Sequence, residues 1–248
     1  MDLVLLAFAA VVALGYTVQT VTGFGSMLVC VTLGAQLLPI QEVIVLTVPI
    51  SLLQTGTIAI RDRDAIDWRL LLVQVLPLMG LGLVVCRLTI AEQPGDWMRI
   101  AFGVLVLILS VRELVVLWRA RLADGKAQRR LSRPAHVAAL LGAGVVHGLY
   151  ATGGPLLVYA VGRGGHDKRA FRSTLSVVWF VLNAALSVIF LVDGHYDGSH
   201  AVDLLWLAPA VPVGLAVGEL LHHRVDERRF KITVFALLVL AALSLILR

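Results

Sequence analysis

Two glycine-punctured stretches, Gly15-Tyr-Thr-Val-Gln-Thr-Val-Thr-Gly-Phe-Gly-Ser26 and Gly144-Val-Val-His-Gly-Leu-Tyr-Ala-Thr-Gly-Gly-Pro155, interrupt apolar runs at matching places in two halves of the chain. A helix broken at membrane depth leaves backbone groups unpaired, which is tolerated only where they are buried in protein or line a polar cavity. A matched pair of such breaks is the best sequence pointer to a solute-binding site between membrane helices. At each break the N–H groups of the following half-helix converge at its positive dipole end, and glycine lets an anion approach the backbone with no Cβ in the way. The expected anion contacts are therefore Thr22, Gly23, Phe24, Gly25 and Ser26 in the first half and Thr152, Gly153 and Gly154 in the second, with Pro155 suited to a first helical turn.

A shift of 129 residues that places Gly15 on Gly144 and Gly25 on Gly154 also places Gln54 on Asn183. Two carboxamides at equivalent depth in otherwise apolar segments can donate to a small polar anion without fully neutralising it. The competing reading is interhelical glue, worth about 0.6–2 kcal/mol in a membrane. His147 is the one titratable histidine or acid expected deep in the second hairpin, so it could carry a proton, but Val18 holds the equivalent place in the first half, which favours a satisfied neutral histidine over a proton relay. Arg172 opens a span in Phe171-Arg172-Ser173-Thr174, where its charge opposes the helix dipole and calls for an anion or an acidic partner. Gln19, Thr20 and Tyr150 are weaker polar candidates, and Cys30 and Cys86 read as small buried hydrophobes.

These residues need membrane helices to position them. The chain has 248 residues, of which 59% are hydrophobic and 15% charged, with a mean hydropathy of +0.90, far from a soluble domain. Splitting the long uncharged runs at their glycines yields ten segments, near 3–21, 25–39, 42–60, 68–88, 97–118, 134–151, 154–163, 170–192, 202–221 and 230–247. If the glycine-tipped pairs are re-entrant, the true spans fall to about six. No basic region precedes the first apolar run, so it is expected to stay in the mature protein.

The formal charge of +5 sits in short loops and sets topology; it is not a nucleic-acid signal. The loop holding Arg112, Arg119, Arg121, Lys126, Arg129, Arg130 and Arg133 should be cytoplasmic, which places both termini outside. Five segments per half is an odd number, so the halves should be inverted in the membrane. The expected fold is an all-α integral membrane protein of two inverted-topology halves, each opening with a glycine-broken helical hairpin. Residues 1–118 form one repeat, 119–133 a basic loop, and 134–248 the other repeat. Pro77-Leu-Met-Gly-Leu-Gly82 and Pro209 to Gly218, in the fourth segment of each half, read as proline-bent packing faces. No phosphate-binding loop, metal-ligating cluster or Ser/His/Asp constellation appears, so no enzyme, cofactor or metal site is expected.

With both glycine hairpins, the Phe171-Arg172 start of a span and the downstream Asn183, the chain resembles the sulfite exporter TauE/SafE family of bacterial and plant membrane proteins over nearly its whole length. The first half has Gly23-Phe24-Gly25-Ser26 where the family usually has Gly-x-Gly-Gly. The resemblance implies a secondary transporter of small sulfur-containing anions such as sulfite, organosulfonates or thiosulfate in a bacterial plasma membrane, needing no ATP. Its partners would be the anion and the lipid bilayer, with a homodimer left open and the coupling ion open between proton and sodium. An anion channel or uniporter, and a membrane scaffold or sensor subunit without transport, are the alternatives.

Overall fold

A computed structural model describes residues 3–22, 25–89, 96–119, 131–161, 168–222 and 226–247; most of the basic 119–133 loop and the residues Gly23 and Phe24 fall outside this set. The described residues are helical with no strand. In chain order the helices are α1 (Leu3–Thr22), α2 (Ser26–Gly34), α3 (Ile40–Arg61), α4 (Trp68–Leu70), α5 (Leu76–Thr89), α6 (Asp96–Arg119), α7 (Arg133–Tyr150), α8 (Gly154–Val161), α9 (Lys168–Val192), α10 (Gly198–Leu207), α11 (Ala210–His222) and α12 (Glu227–Leu247). Among the described residues, seven spans are long and apolar enough to cross a membrane, α4–α5 counting as one and α10–α11 as another. α2 and α8, with 9 and 8 residues, are too short to be among them, whereas α1 is one of the seven. Leu72, Val188, Leu205 and Leu240 are each more than half exposed, a surface suited to lipid and unsuited to water.

Prolines account for the local irregularities. Pro77 has no N–H to give the carbonyl of Val73, and α4 passes into α5 through a π-helical stretch, Leu71–Val75, that absorbs the mismatch. Pro49 inside α3 likewise leaves the carbonyl of Val45 without its usual donor. The hydroxyl of Tyr196 donates to that carbonyl at 3.1 Å. Aspartates start three helices by accepting from their first turns: Asp67 from the N–H of Leu70, Asp197 from those of Ser199 and His200, and Asp226 from that of Arg229.

The chain forms two compact units, each drawing on both sequence halves. The first comprises Met1–Val43, Pro94–Ala127 and Trp206–Arg248. Here α1 lies on α11, and a Cβ added at Gly214 would come within 2.8 Å of Tyr16 Cβ, while one at Gly218 would come within 3.0 Å of the Thr17 carbonyl oxygen. The four-residue glycine spacing on α11 is thus a helix-packing face. The Thr17 hydroxyl reaches both the Ala13 carbonyl (2.9 Å) and the Gly214 carbonyl (3.2 Å) across that crossing. Gln36 donates to the Ala241 carbonyl and accepts from Ser244, tying the end of α2 to α12.

The second unit comprises Ile44–Gln93 and Gln128–Leu205. Its closest crossing is α5 on α7, where Gly82 and Gly144 bring two backbones together. A Cβ on Gly82 would lie 3.0 Å from the Gly144 Cα. Each hairpin's first helix therefore packs on the fourth-segment helix of the other half, α1 on α11 and α7 on α5. At one end of this unit Arg87 pairs with Asp193 and its guanidinium sits 5.8 Å from the Phe190 ring centre. The opposite end is closed by Asp62, Arg169 and Arg172.

Candidate functional site

In the second unit α7 stops at Tyr150 because Ala151 turns left-handed (φ 52°), its N–H returning to the His147 carbonyl at 2.7 Å. A non-glycine residue there is uncommon and marks a backbone held by its surroundings. The chain restarts at Gly154 with Pro155 in the first turn of α8. Gly153 folds this tip back on α7: a Cβ there would strike the Ala143 carbonyl and come within 3.2 Å of His147 Cβ. One on Gly154 would sit 3.6 Å from Trp179 Cζ2. The break thus opens between His147 and Trp179, whose rings stack with centres 5.5 Å apart.

One turn beyond Trp179 on α9, Asn183 donates from Nδ2 to Ser51 Oγ at 2.7 Å. Ser51 in turn donates to the Val48 carbonyl at 2.6 Å. Since the hydroxyl proton is committed to Val48, Ser51 can only accept from Asn183, which fixes the orientation of the carboxamide. Asn183 Oδ1 then has no hydrogen-bond partner among the described residues, and neither ring nitrogen of His147 has one, although the carboxamide lies beside the ring. Gln54 follows Ser51 by one turn of α3. It and His147 are fully buried, and Asn183 and Thr152 nearly so.

Five of the expected contacts, Gln54, Thr152, Gly153, Gly154 and Asn183, thus belong to one unit with His147, and Gln54, Thr152, Asn183 and His147 are buried there. The carboxamide donor expected of Asn183 faces Ser51, so Asn183 offers the site an acceptor. Ser51 and Trp179 were not anticipated, though each lies one helical turn from a carboxamide that was: Ser51 three residues before Gln54, Trp179 four before Asn183.

The first break belongs to the other unit and is built differently. Gly23, Phe24 and the Thr22 side chain lie outside the described residues. Gly25 is left-handed (φ 98°) ahead of α2, and the Ser26 hydroxyl donates to Gln19 Oε1. That hydroxyl is committed within the hairpin. Gly15 lets α2 fold onto α1, since a Cβ there would meet Cys30 Sγ and, at 3.0 Å, the Ser26 carbonyl oxygen. A Cβ on Gly25 meets nothing within 4 Å, so Gly25→Ala is strained by backbone conformation alone and should cost about 1–2 kcal/mol. Gly25→Asn should cost less than Gly25→Ala, and thermal unfolding in detergent reads both.

Arg172 has an acidic partner. It donates to Asp62 Oδ2 at 3.1 Å, while Arg169 reaches Asp62 Oδ1 at 3.3 Å and Asp64 at 3.1 Å. Asp62 is 6% exposed, just past the end of α3. Burial pushes its carboxyl up, but the hydrogen bonds and charges of Arg172 and Arg169 outweigh that and hold it below the ordinary carboxylate range. A depressed pKa contributes stability that is complete above the unfolded value of about 3.9 and is lost as pH falls through the lower folded value. Because the arginine side chains are 41% and 52% exposed, the contribution is about 1 kcal/mol or less. Unfolding followed from pH 7 to pH 3 should show an acid-labile increment that Asp62→Asn removes.

The model of the family described as sulfite exporter TauE/SafE matches residues 7–245. Among curated proteins, the "Probable inner membrane transporter protein TsaS" of Comamonas testosteroni is 24% identical over 205 residues, covering 82% of this chain and 80% of that protein. No solved structure gives a significant match.

Proposed function

As the chain belongs to the sulfite exporter TauE/SafE family, we propose that it is a secondary transporter carrying a small sulfur-containing anion, of the sulfite, organosulfonate or thiosulfate class, across a bacterial inner membrane. The observation that carries this reading is the fully buried polar interior of Gln54, Ser51, Asn183 and His147 beside the helix break at Thr152 to Gly154. Within it, Asn183 Oδ1 and the His147 ring nitrogens have no partner among the described residues, which would cost about 1–3 kcal/mol each unless a bound solute or water meets them. The Thr152 hydroxyl, the Gln54 carboxamide and the N–H groups opening α8 would hold the oxyanion, with the half-helix dipole favouring its charge.

Alternating access of this site to the two sides moves the anion. The reciprocal packing of α1 on α11 and α7 on α5 supports the inverted-repeat organisation that such a cycle uses. Arg87 with Asp193, and Asp62 with Arg169 and Arg172, join loops that the charge count places on the same side, which supports the topology with both termini outside. Uptake of labelled sulfite, thiosulfate and simple sulfonates into proteoliposomes tests the reading. Saturable flux stimulated by unlabelled anion on the opposite side is expected. Flux without that stimulation would mean a channel, and absence of flux for every anion would refute transport.

A further inference from the structure

The donor and acceptor pattern of the buried site is wrong for an anion alone. Asn183 Oδ1 has no partner among the described residues and is an acceptor, which repels an oxyanion. The imidazole beside it is fully buried, has no hydrogen bond of ordinary geometry at either nitrogen among the described residues, and is backed by the Trp179 ring. The neighbouring Gln54 and Ser51 carry no charge. Bringing an uncompensated anion into such an interior costs several kcal/mol.

One change resolves both defects. A proton on the imidazole turns it into a cation with two N–H donors, one for Asn183 Oδ1 and one for the anion. Among the described residues, the other titratable groups near the site do not supply that charge. From α5 the nearest titratable side chain is Cys86, packed on Gly148, and on α7 it is Tyr150; a thiol and a phenol, both protonated and neutral near pH 7. The remaining titratable groups on the surrounding helices lie toward their ends, among them Arg133 and His136 on α7, Tyr159 on α8, Arg169 and Arg172 with Asp62 and Asp64 where α9 meets the end of α3, Glu42 and Arg61 on α3, and Arg87 with Asp193. His136 is turned to the Ala160 carbonyl.

We propose that His147 takes up one proton with each anion, so that this protein is a proton–anion cotransporter with His147 as its proton site. The inference rests on the transport reading above. Without the anion an imidazolium would stand there with no counter-charge, and without the proton the anion would meet an acceptor and a neutral ring. Each ligand therefore strengthens binding of the other by the same factor, and the empty carrier returns without charge in the site.

Thiosulfate and methanesulfonate carry no proton of their own near neutral pH, so any proton that moves with them moves through the protein. The full chain in proteoliposomes with an internal pH dye should acidify the lumen when either anion is added outside in sodium-free buffer. An imposed inward proton gradient should speed labelled uptake about tenfold. In His147→Gln both the acidification and the response to the gradient should fall by about tenfold or more. Wild-type influx with no acidification, or with dependence on sodium in its place, overturns the proposal, as does wild-type acidification in His147→Gln. The wild-type measurement decides even if that variant does not fold. No flux of thiosulfate, methanesulfonate or sulfite by the wild type overturns the transport reading, and this inference falls with it.

Discussion

Replacing Gln54 and Asn183 together by alanine is expected to lower anion flux by about 30–140-fold while leaving the protein folded. The estimate comes from two lost hydrogen-bonding contributions of about 1–1.5 kcal/mol each, with about 1.4 kcal/mol per factor of ten. The two residues act differently. Gln54 is a buried carboxamide on α3, proposed above as an anion contact, while Asn183 holds α9 to Ser51 and leaves its carbonyl oxygen without a hydrogen-bond partner among the described residues. Asn183→Ala alone should release Ser51 and remove the acceptor beside the imidazole. Gln54→Ala alone should weaken anion binding and lower proton movement with it, leaving the ratio of protons to anions unchanged. Initial uptake rates in proteoliposomes, normalised to folded protein by size-exclusion chromatography, give the result. Wild-type flux in the double variant would remove this site from consideration and leave its carboxamides as interhelical glue.

The second large effect is structural. Gly144→Val should destabilise the second unit by about 3 kcal/mol or more, at the upper edge of ordinary overpacking. A Cβ at Gly144 would run into the Met79 carbonyl and come within 2.8 Å of the Met79 Cα. The obstacle is backbone on a neighbouring helix, so no rotamer change relieves it. Only separation of α5 from α7 would, and that also withdraws His147 from the site wall. Gly80 on the same α5 helix is the control, since a Cβ there meets nothing within 4 Å. Gly80→Ala should be neutral or stabilising by about 0.5–1 kcal/mol. A melting shift of equal size in both variants would show that close α5–α7 approach is not what Gly144 secures.

Much of this was legible in residue types and spacing. Ten apolar segments, the two glycine breaks and the proline-bent fourth segments follow from hydropathy and from the backbone freedom of glycine and proline, which are local properties. The glycine spacing at Gly214 and Gly218 was readable as a packing face because a missing Cβ has one main use between membrane helices. Arg172 at a helix start demanded a partner, but Asp62 could not be named, since the two are 110 residues apart and only the approach of α3 and α9 joins them.

What the sequence alone determined is the membrane class, the positions of the breaks and the short set of polar residues that must be buried, because these depend on hydrophobicity and backbone chemistry within a few residues. Tertiary structure decided which of those residues meet and with which atom. Ser26 spends its hydroxyl on Gln19, whereas Asn183 spends its amide on Ser51 and keeps an acceptor for the site. It also decided that each hairpin packs on a helix from the opposite half. A hydrogen bond's direction depends on what its partner already donates to, here the Ser51 proton given to Val48, and that is a property of the packed helices and of no single segment.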